Sequence, residues 1–163
     1  MPAATAKKHA AEPGVLATNR KARRNYHILE RCEAGLVLIG TEVKSIRGGR
    51  TSLDESYVRI HEGEAFVSGM HIPVYEQGNR HNHAPTRERK LLLHRRELDR
   101  LHGMVSQKGC TLVPLKLYLK RGRIKMEVGV AKGKHLGDKR EDLKRRTADR
   151  EAERAIQAHR GRG

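Results

Sequence analysis

Two alternating runs near the end of the chain constrain its fold more than any other feature. Val113, Leu115, Leu117 and Leu119 alternate with Pro114, Lys116, Tyr118 and Lys120. After Arg121-Gly122, Ile124, Met126, Val128 and Val130 alternate with Arg123, Lys125, Glu127 and Gly129. A period of two sends successive side chains to opposite faces of a strand, so these runs predict a hairpin with one aliphatic face. The other face carries Lys116, Lys120, Arg123 and Lys125 around Tyr118, which makes a sheet buried on one side and basic on the other.

The rest of the chain is written in pieces of similar length. Residues 26–31 and 36–39 read as strands flanking Cys32-Glu33-Ala34-Gly35, which places Glu33 at a hairpin tip. Residues 56–61 and 65–70 flank Glu62-Gly63-Glu64 as another hairpin, and a further strand lies around Leu16. Residues 41–47 read as a short helix closed by Gly48-Gly49, with Val43 and Ile46 on one face and Lys44 and Arg47 on another. A second helix follows Leu91-Leu92-Leu93. His94 and Glu97 cap its start, Leu98 and Leu101 form its buried face, and Gly103 is its expected stop.

About six short strands at hairpin spacing hide their edges best by closing into a barrel, so the expected fold is mainly β: a small antiparallel barrel of the oligonucleotide-binding (OB) type with short flanking helices. A split β-α-β sheet is the alternative arrangement of the same elements. The expected organisation is a disordered segment over residues 1–13, a barrel over 14–134 and a basic tail over 135–163 that becomes helical when bound to its partner. Cys32 and Cys110 stand far apart, so neither a disulfide framework nor a four-cysteine metal site is indicated. The chain shows no secretory leader pattern and no apolar run long enough to span a bilayer, which points to the cytosol and to no membrane partner.

Charge indicates the partner. Thirty-five Lys and Arg against 19 Asp and Glu give a formal net charge of +16, for which polyphosphate is the natural counterpart. With one Phe, four Tyr and no Trp, the chain lacks the rings needed to stack many unpaired bases, so it suits a reader of RNA backbone and shape. The bases gather in three places: Asn19-Arg20-Lys21-Ala22-Arg23-Arg24, Arg87-Glu88-Arg89-Lys90, and Lys132-Gly133-Lys134. Arg and Lys suit phosphates, Asn19 can pair with a base edge or a 2′-hydroxyl, and Glu33 can accept from a base amino group or hold a neighbouring Arg. His81 and His83 lack the spaced partners of a metal site, and the Gly129 to Lys134 segment lacks the spacing of a phosphate loop. No cofactor, metal or catalytic centre is indicated.

The final 26 residues are of another kind. Fifteen are charged and only Leu143 and Ile156 are large aliphatics, so this tail has no apolar face to bury. Glu141/Arg145 and Asp142/Arg146 still place acids four residues before bases, the orientation that supports a helix. A tail that favours a helix but has no core needs a partner to fold against.

Six strings, in order, resemble the SsrA-binding protein (small protein B) family: Asn19-Arg-Lys-Ala-Arg23, Glu33-Ala-Gly35, Gly40-Thr-Glu-Val-Lys-Ser45, Arg89-Lys-Leu-Leu-Leu93, Gly129-Val-Ala-Lys-Gly-Lys134 and Asp138-Lys-Arg140. The resemblance runs from about Val15 to Arg146. It implies a monomeric OB-type barrel, not an enzyme, that binds the tRNA-like domain of tmRNA and delivers it to stalled ribosomes for trans-translation. By matching motif it implies tmRNA contacts from Asn19, Arg20, Lys21, Arg23, Glu33, Lys90, Leu92, Lys125, Lys132 and Lys134, to which the first basic group adds Arg24 and the helix over 41–47 adds Lys44. The family's tail forms a helix in the empty mRNA channel near the small-subunit decoding centre. Asp138, Lys139 and Arg140 match its motif there, and Lys144 and Arg145 continue the basic run. The family often has a bulky residue just before that motif, where this chain has Gly137, with His135 two residues earlier. A ribosomal or ribosome-assembly protein that coats rRNA is the rival reading; a metal-dependent nuclease rests on His81 and His83 alone.

Overall fold

A computed structural model describes residues 14–161. The elements run β1 (Val15–Thr18), α1 (Arg20–Asn25), β2 (Tyr26–Leu36), α2 (Gly40–Arg47), β3 (Tyr57–His61), β4 (Glu64–Ser68), a 3-10 segment (Glu76–His81), β5 (Arg89–Leu92), α3 (Arg95–Lys108), β6 (Thr111–Lys120), β7 (Arg123–Gly133) and α4 (Leu136–Arg160). All strand pairings are antiparallel. The ladder passes from β6 through β3, β4, β5, β2 and β7, and the β6–β7 pairing returns it to its start. Six strands therefore form the ring, and β1 lies outside it. The long β6 serves both neighbours on one edge, β3 at Leu112 and β1 at residues 116–118.

The expected segments 1–13 lie outside the described residues. Within those described, the alternating hairpin is present as β6–β7, turning at Arg121 (φ 52) and Gly122 (φ 74) as a tight primed turn requires. Its aliphatic residues do not share one face, however. The β6–β7 register shifts between Pro114 and Lys116, leaving Leu115 as an extra residue. Leu117, Met126, Val128 and Val130 join the main core, whereas Val113 and Leu115 turn to a second cluster with Ala22 and Ala131 beneath α1. Gly129 makes room for this: a Cβ there would lie 2.9 Å from a methyl of Leu115.

Two other expectations are corrected. Residues 26–39 do not turn at Cys32-Glu33-Ala34-Gly35; β2 runs unbroken because its two edges are both paired around Gly35, with Lys125 of β7 and Leu92 of β5. Helix α3 passes through Gly103 and stops at Gly109, the residue that adopts a left-handed φ of 64. A glycine weakens a helix interior by only about 1 kcal/mol, and the burial of Leu101 outweighs that. The expected His94/Glu97 start is found, with the His94 backbone N–H donating to Glu97 at 3.1 Å.

The main core gathers Ile46, Leu53, Val67, Met70, Ile72, Leu91, Leu101 and Leu112, all at most 2 % exposed. Glu42 of α2 and Arg89 of β5 are buried among them at 0 %. Arg89 donates Nε to Glu42 at 2.7 Å, and its other nitrogens reach the carbonyls of Met70, Arg87, Ala84 and Pro85. Arg87 donates to both Glu42 oxygens at 3.1 and 2.9 Å, and the Ile39 N–H adds a bond at 3.0 Å. Burial alone would raise the Glu42 carboxyl, but the bonds from Arg87, Ile39 and Arg89 outweigh it and hold it below its ordinary value.

Removing one partner of such a buried network leaves a charge uncompensated. Glu42→Ala is therefore expected to lower stability by about 3–5 kcal/mol, read as a shift of the urea unfolding midpoint. Because the Glu42 carboxyl is depressed, its contribution is complete above the ordinary carboxylate range and is lost as pH falls through the folded value. The gap between wild type and variant should therefore narrow in acid.

Candidate nucleic-acid interface

The first basic group is organised by a buried asparagine. Asn19 is 3 % exposed and precedes α1 as its cap. Its Oδ1 accepts from the Ala22 N–H at 3.0 Å, its Nδ2 donates to the Pro114 carbonyl at 2.9 Å, and its own N–H reaches the Leu115 carbonyl at 2.8 Å. The carboxamide expected to read a base edge thus has both ends occupied inside the protein. Its effect is positional: with Ala22 buried against Leu115, α1 is pinned on β6, and Arg20, Lys21 and Arg24 are left on the surface with Arg23 half-buried. Lys21 forms an ion pair with Glu55.

Lys134, at the other end of the same region, is drawn inward. Its side chain is 7 % exposed, donates to the Arg23 carbonyl at 3.3 Å and pairs with Asp142 of α4. The Lys134 N–H also reaches the Asn25 carbonyl at 2.9 Å. Lys134 therefore fastens α1, β7 and α4 to one another, while Lys132, two residues before it, stays exposed.

The second grouping is a groove. Strand β2 lies between β5 and β7, and this order brings Glu33, Lys90, Leu92 and Lys125, chosen separately in the sequence, around one depression. Glu64, His94 and Glu97 complete its wall. Gly35 forms the floor between Leu92 and Lys125: a Cβ there would sit 3.3 Å from Leu92 Cβ and 3.6 Å from Lys125 Nζ. Leu92 is 53 % exposed, an apolar surface beside two ammonium groups. Lys90 meets Glu64 at 2.6 Å.

Glu33 sits within β2, opposite Glu127 of β7, rather than at a hairpin tip. Its carboxylate accepts from the Tyr118 hydroxyl and, at 3.2 Å, from Lys120. The Tyr118 bond and then those of Lys120 hold the Glu33 carboxyl below its usual range despite some desolvation. Burial and the Glu33 charge raise the Tyr118 phenol, so the ring stays neutral, with Lys116 lying 5.6 Å over it. Tyr118 was not among the expected site residues; its place on the basic face of the alternating hairpin was the available signal.

Other expected residues lie elsewhere. Lys44 stands on α2 with its ammonium 5.4 Å over the Tyr75 ring, in a depression with Ser45, Arg50 and Pro73 that shares no lining residue with the groove. In α4, Asp138 accepts from the His135 N–H at 3.4 Å and lies 3.3 Å from His27 Nε2, so it starts the helix and ties it to β2. Arg140, Lys144 and Arg145 are exposed and Lys139 is half-exposed. Leu143 and Ile156 are 54 and 56 % exposed, so the 25-residue helix lays neither aliphatic against the barrel. His83 is buried and engaged at both ring nitrogens, by Thr41 Oγ1 and the Ile72 carbonyl, each at 2.9 Å. Burial raises the Cys32 thiol to about 11. No described helix is long and apolar enough to cross a membrane.

A small antiparallel barrel of the oligonucleotide-binding type, with a strongly positive net charge, a groove that presents two lysines beside an exposed leucine, and a charged terminal helix, defines a class of barrel proteins suited to polyanions. The chain belongs to the SmpB family, described as SmpB protein, whose pattern matches residues 16–158. It is 59% identical over 145 residues to the SsrA-binding protein of Geobacillus thermodenitrificans (strain NG80-2), covering 89% of this chain and 94% of that one. The SsrA-binding protein of Corynebacterium glutamicum (strain R) is 56% identical over 142 residues, with 87% of each chain covered. Among solved structures, a chain from "tmRNA-SmpB: a journey to the center of the bacterial ribosome" matches with a TM-score of 0.63 and 50% identity, over 76% of this chain and 86% of that chain.

Asn19→Ala is expected to lower stability by about 1–2 kcal/mol. Hydrogen exchange should increase first in α1, and RNA affinity should fall through loss of a fixed α1 rather than of a base contact. Asn19→Asp should recover neither, because it keeps the accepting cap oxygen but replaces the donor to the Pro114 carbonyl with a buried carboxylate oxygen.

Proposed function

We propose that this protein binds tmRNA and brings it to ribosomes stalled in translation, where incomplete chains are tagged and released. The observation that carries this reading is the meeting of Glu33, Lys90, Leu92 and Lys125 in one groove, in a chain 59% identical to a protein named for binding SsrA. The likeness to a chain solved with tmRNA in the bacterial ribosome supports the same reading. Ammonium groups take phosphates, Leu92 offers an apolar contact to a ribose or base, and Glu33 holds Tyr118 and Lys120 in place beside them. Arg20, Lys21, Arg23, Arg24 and Lys132 extend the contact along α1 and the end of β7. Asn19 and Lys134 serve it from beneath, by fixing α1. The protein acts where ribosomes translate, in the cytoplasm.

Helix α4 supplies the second half of the activity. Twenty-five residues at about 1.5 Å each give a rod of about 38 Å. Its bases are densest from Lys139 to Arg146, and it has no apolar face to bury. An RNA-walled channel is the partner that suits it, and the vacant mRNA path near the decoding centre is the site proposed for Lys139, Arg140, Lys144 and Arg145.

Two outcomes test this reading. Glu33→Ala should weaken tmRNA binding about tenfold, although it removes a negative charge from an RNA-facing surface, because a charge-assisted bond to Tyr118 is lost. Equal or tighter binding in a filter titration at moderate salt would remove Glu33 from the site. Replacing Lys139 and Arg140 together with Ala should leave tmRNA affinity within about twofold while abolishing tagging of nascent chains, since the groove is untouched. Normal tagging would exclude the tail as the element that engages the ribosome. RNA co-purified with the full chain separates tmRNA from the rRNA expected of an assembly protein.

A further inference from the structure

Two lysines of the proposed interface, one near each end, are already paired. Lys21 on α1 is held by Glu55, and Lys90 on β5 is held by Glu64 at 2.6 Å. The partners are 34 and 26 residues apart in sequence, so neither pair follows from neighbouring positions on one element. All four side chains are at least 40 % exposed and accessible to an incoming RNA.

The two acids are delivered differently. Glu55 has a φ of 61, in the left-handed region that a non-glycine residue enters at a cost, and persists there. Glu64 opens β4 two residues before Phe66, the partner of Lys90, so its carboxylate reaches Lys90 diagonally across the β4–β5 ladder. Stability does not account for this placement, because exposed ion pairs contribute little.

We infer that Glu55 and Glu64 act as built-in phosphate competitors, occupying Lys21 and Lys90 so that RNA engages these lysines only by displacing a carboxylate. A carboxylate and a phosphate oxygen seek the same ammonium donors, and the displaced acid is left in the field of the RNA. The penalty applies to any polyanion. An RNA that makes the remaining groove and α1 contacts together overcomes it, whereas an RNA held by scattered phosphate contacts does not. On a chain of net charge +16, such competition limits capture by bulk RNA. The inference rests on the proposed tmRNA-binding reading and adds to it the residues that hold down capture of weakly bound RNA.

Glu33 is of a different kind. It is shared between Tyr118 and Lys120 and fixes the orientation of a ring, whereas Glu55 and Glu64 each neutralise one lysine.

The test is a titration of the full chain against two RNAs, the tRNA-like domain of tmRNA and a mixed-sequence RNA duplex, at several salt concentrations. Glu55→Gln and Glu64→Gln should each tighten duplex binding about two- to fivefold and steepen its logarithmic salt slope by up to about 0.9 per freed lysine. In a Lys21→Ala background the Glu55→Gln gain should vanish, and in a Lys90→Ala background the Glu64→Gln gain should vanish. Unchanged or weaker duplex binding, or a gain that persists without the lysine, overturns the inference. If wild type shows no preference for the tRNA-like domain over the duplex, the tmRNA reading itself fails, and that result is distinct from the response of the variants.

Discussion

The buried contact between Glu42 and Arg89 is the constraint on which the arrangement of this protein rests. Removing two charges from water is costly, and a single ion pair does not restore what is lost. Here the whole surroundings take part: four backbone carbonyls for Arg89, and a second guanidinium and a backbone N–H for Glu42. Satisfying these groups requires α2, the segment from Met70 to Arg87 and the start of β5 to be in place together. Once Arg89 is fixed, Lys90 and Leu92 follow in the same short strand, and β5 can bridge β4 and β2. The groove depends on a polar contact sealed from its surface.

What could be read in the sequence was local. Alternation revealed β6 and β7, and the spacing of His94 and Glu97 revealed the start of α3. Pairings between distant segments were not legible. Nothing near Gly35 announces that Leu92 and Lys125 flank it, so a segment rich in turn signals was read as a turn although two paired edges hold it extended. The Leu115 bulge was hidden similarly, since an unbroken alternation in sequence carries no mark of the register shift imposed by β7. Asn19 shows the same limit from the functional side. An asparagine before a run of bases suits RNA and suits a helix cap, and only the positions of Ala22 and Pro114 separate the two roles.

Formal charge alone gives a misleading picture of this surface. Several of the bases nearest the groove and α1 are held by carboxylates: Lys21 by Glu55, Lys90 by Glu64, Lys120 by Glu33 and Lys134 by Asp142. Such pairs give the long side chains preferred directions while leaving the net positive field intact. The field governs approach over tens of ångströms at low salt, and the pairs govern which contacts form at close range. A residue count describes the first and not the second.

The fastening at Lys134 has a mechanical consequence. Its ammonium joins the Arg23 carbonyl of α1 to Asp142 of α4, so the base of a rod about 38 Å long is tied to the same short helix that carries the first basic group. A lever magnifies rotation at its pivot. A swing of only about 5° at that joint carries the far end of α4 through about 3 Å, roughly the reach of a hydrogen bond. Small adjustments in how α1 seats on its partner are thus large displacements at Arg160.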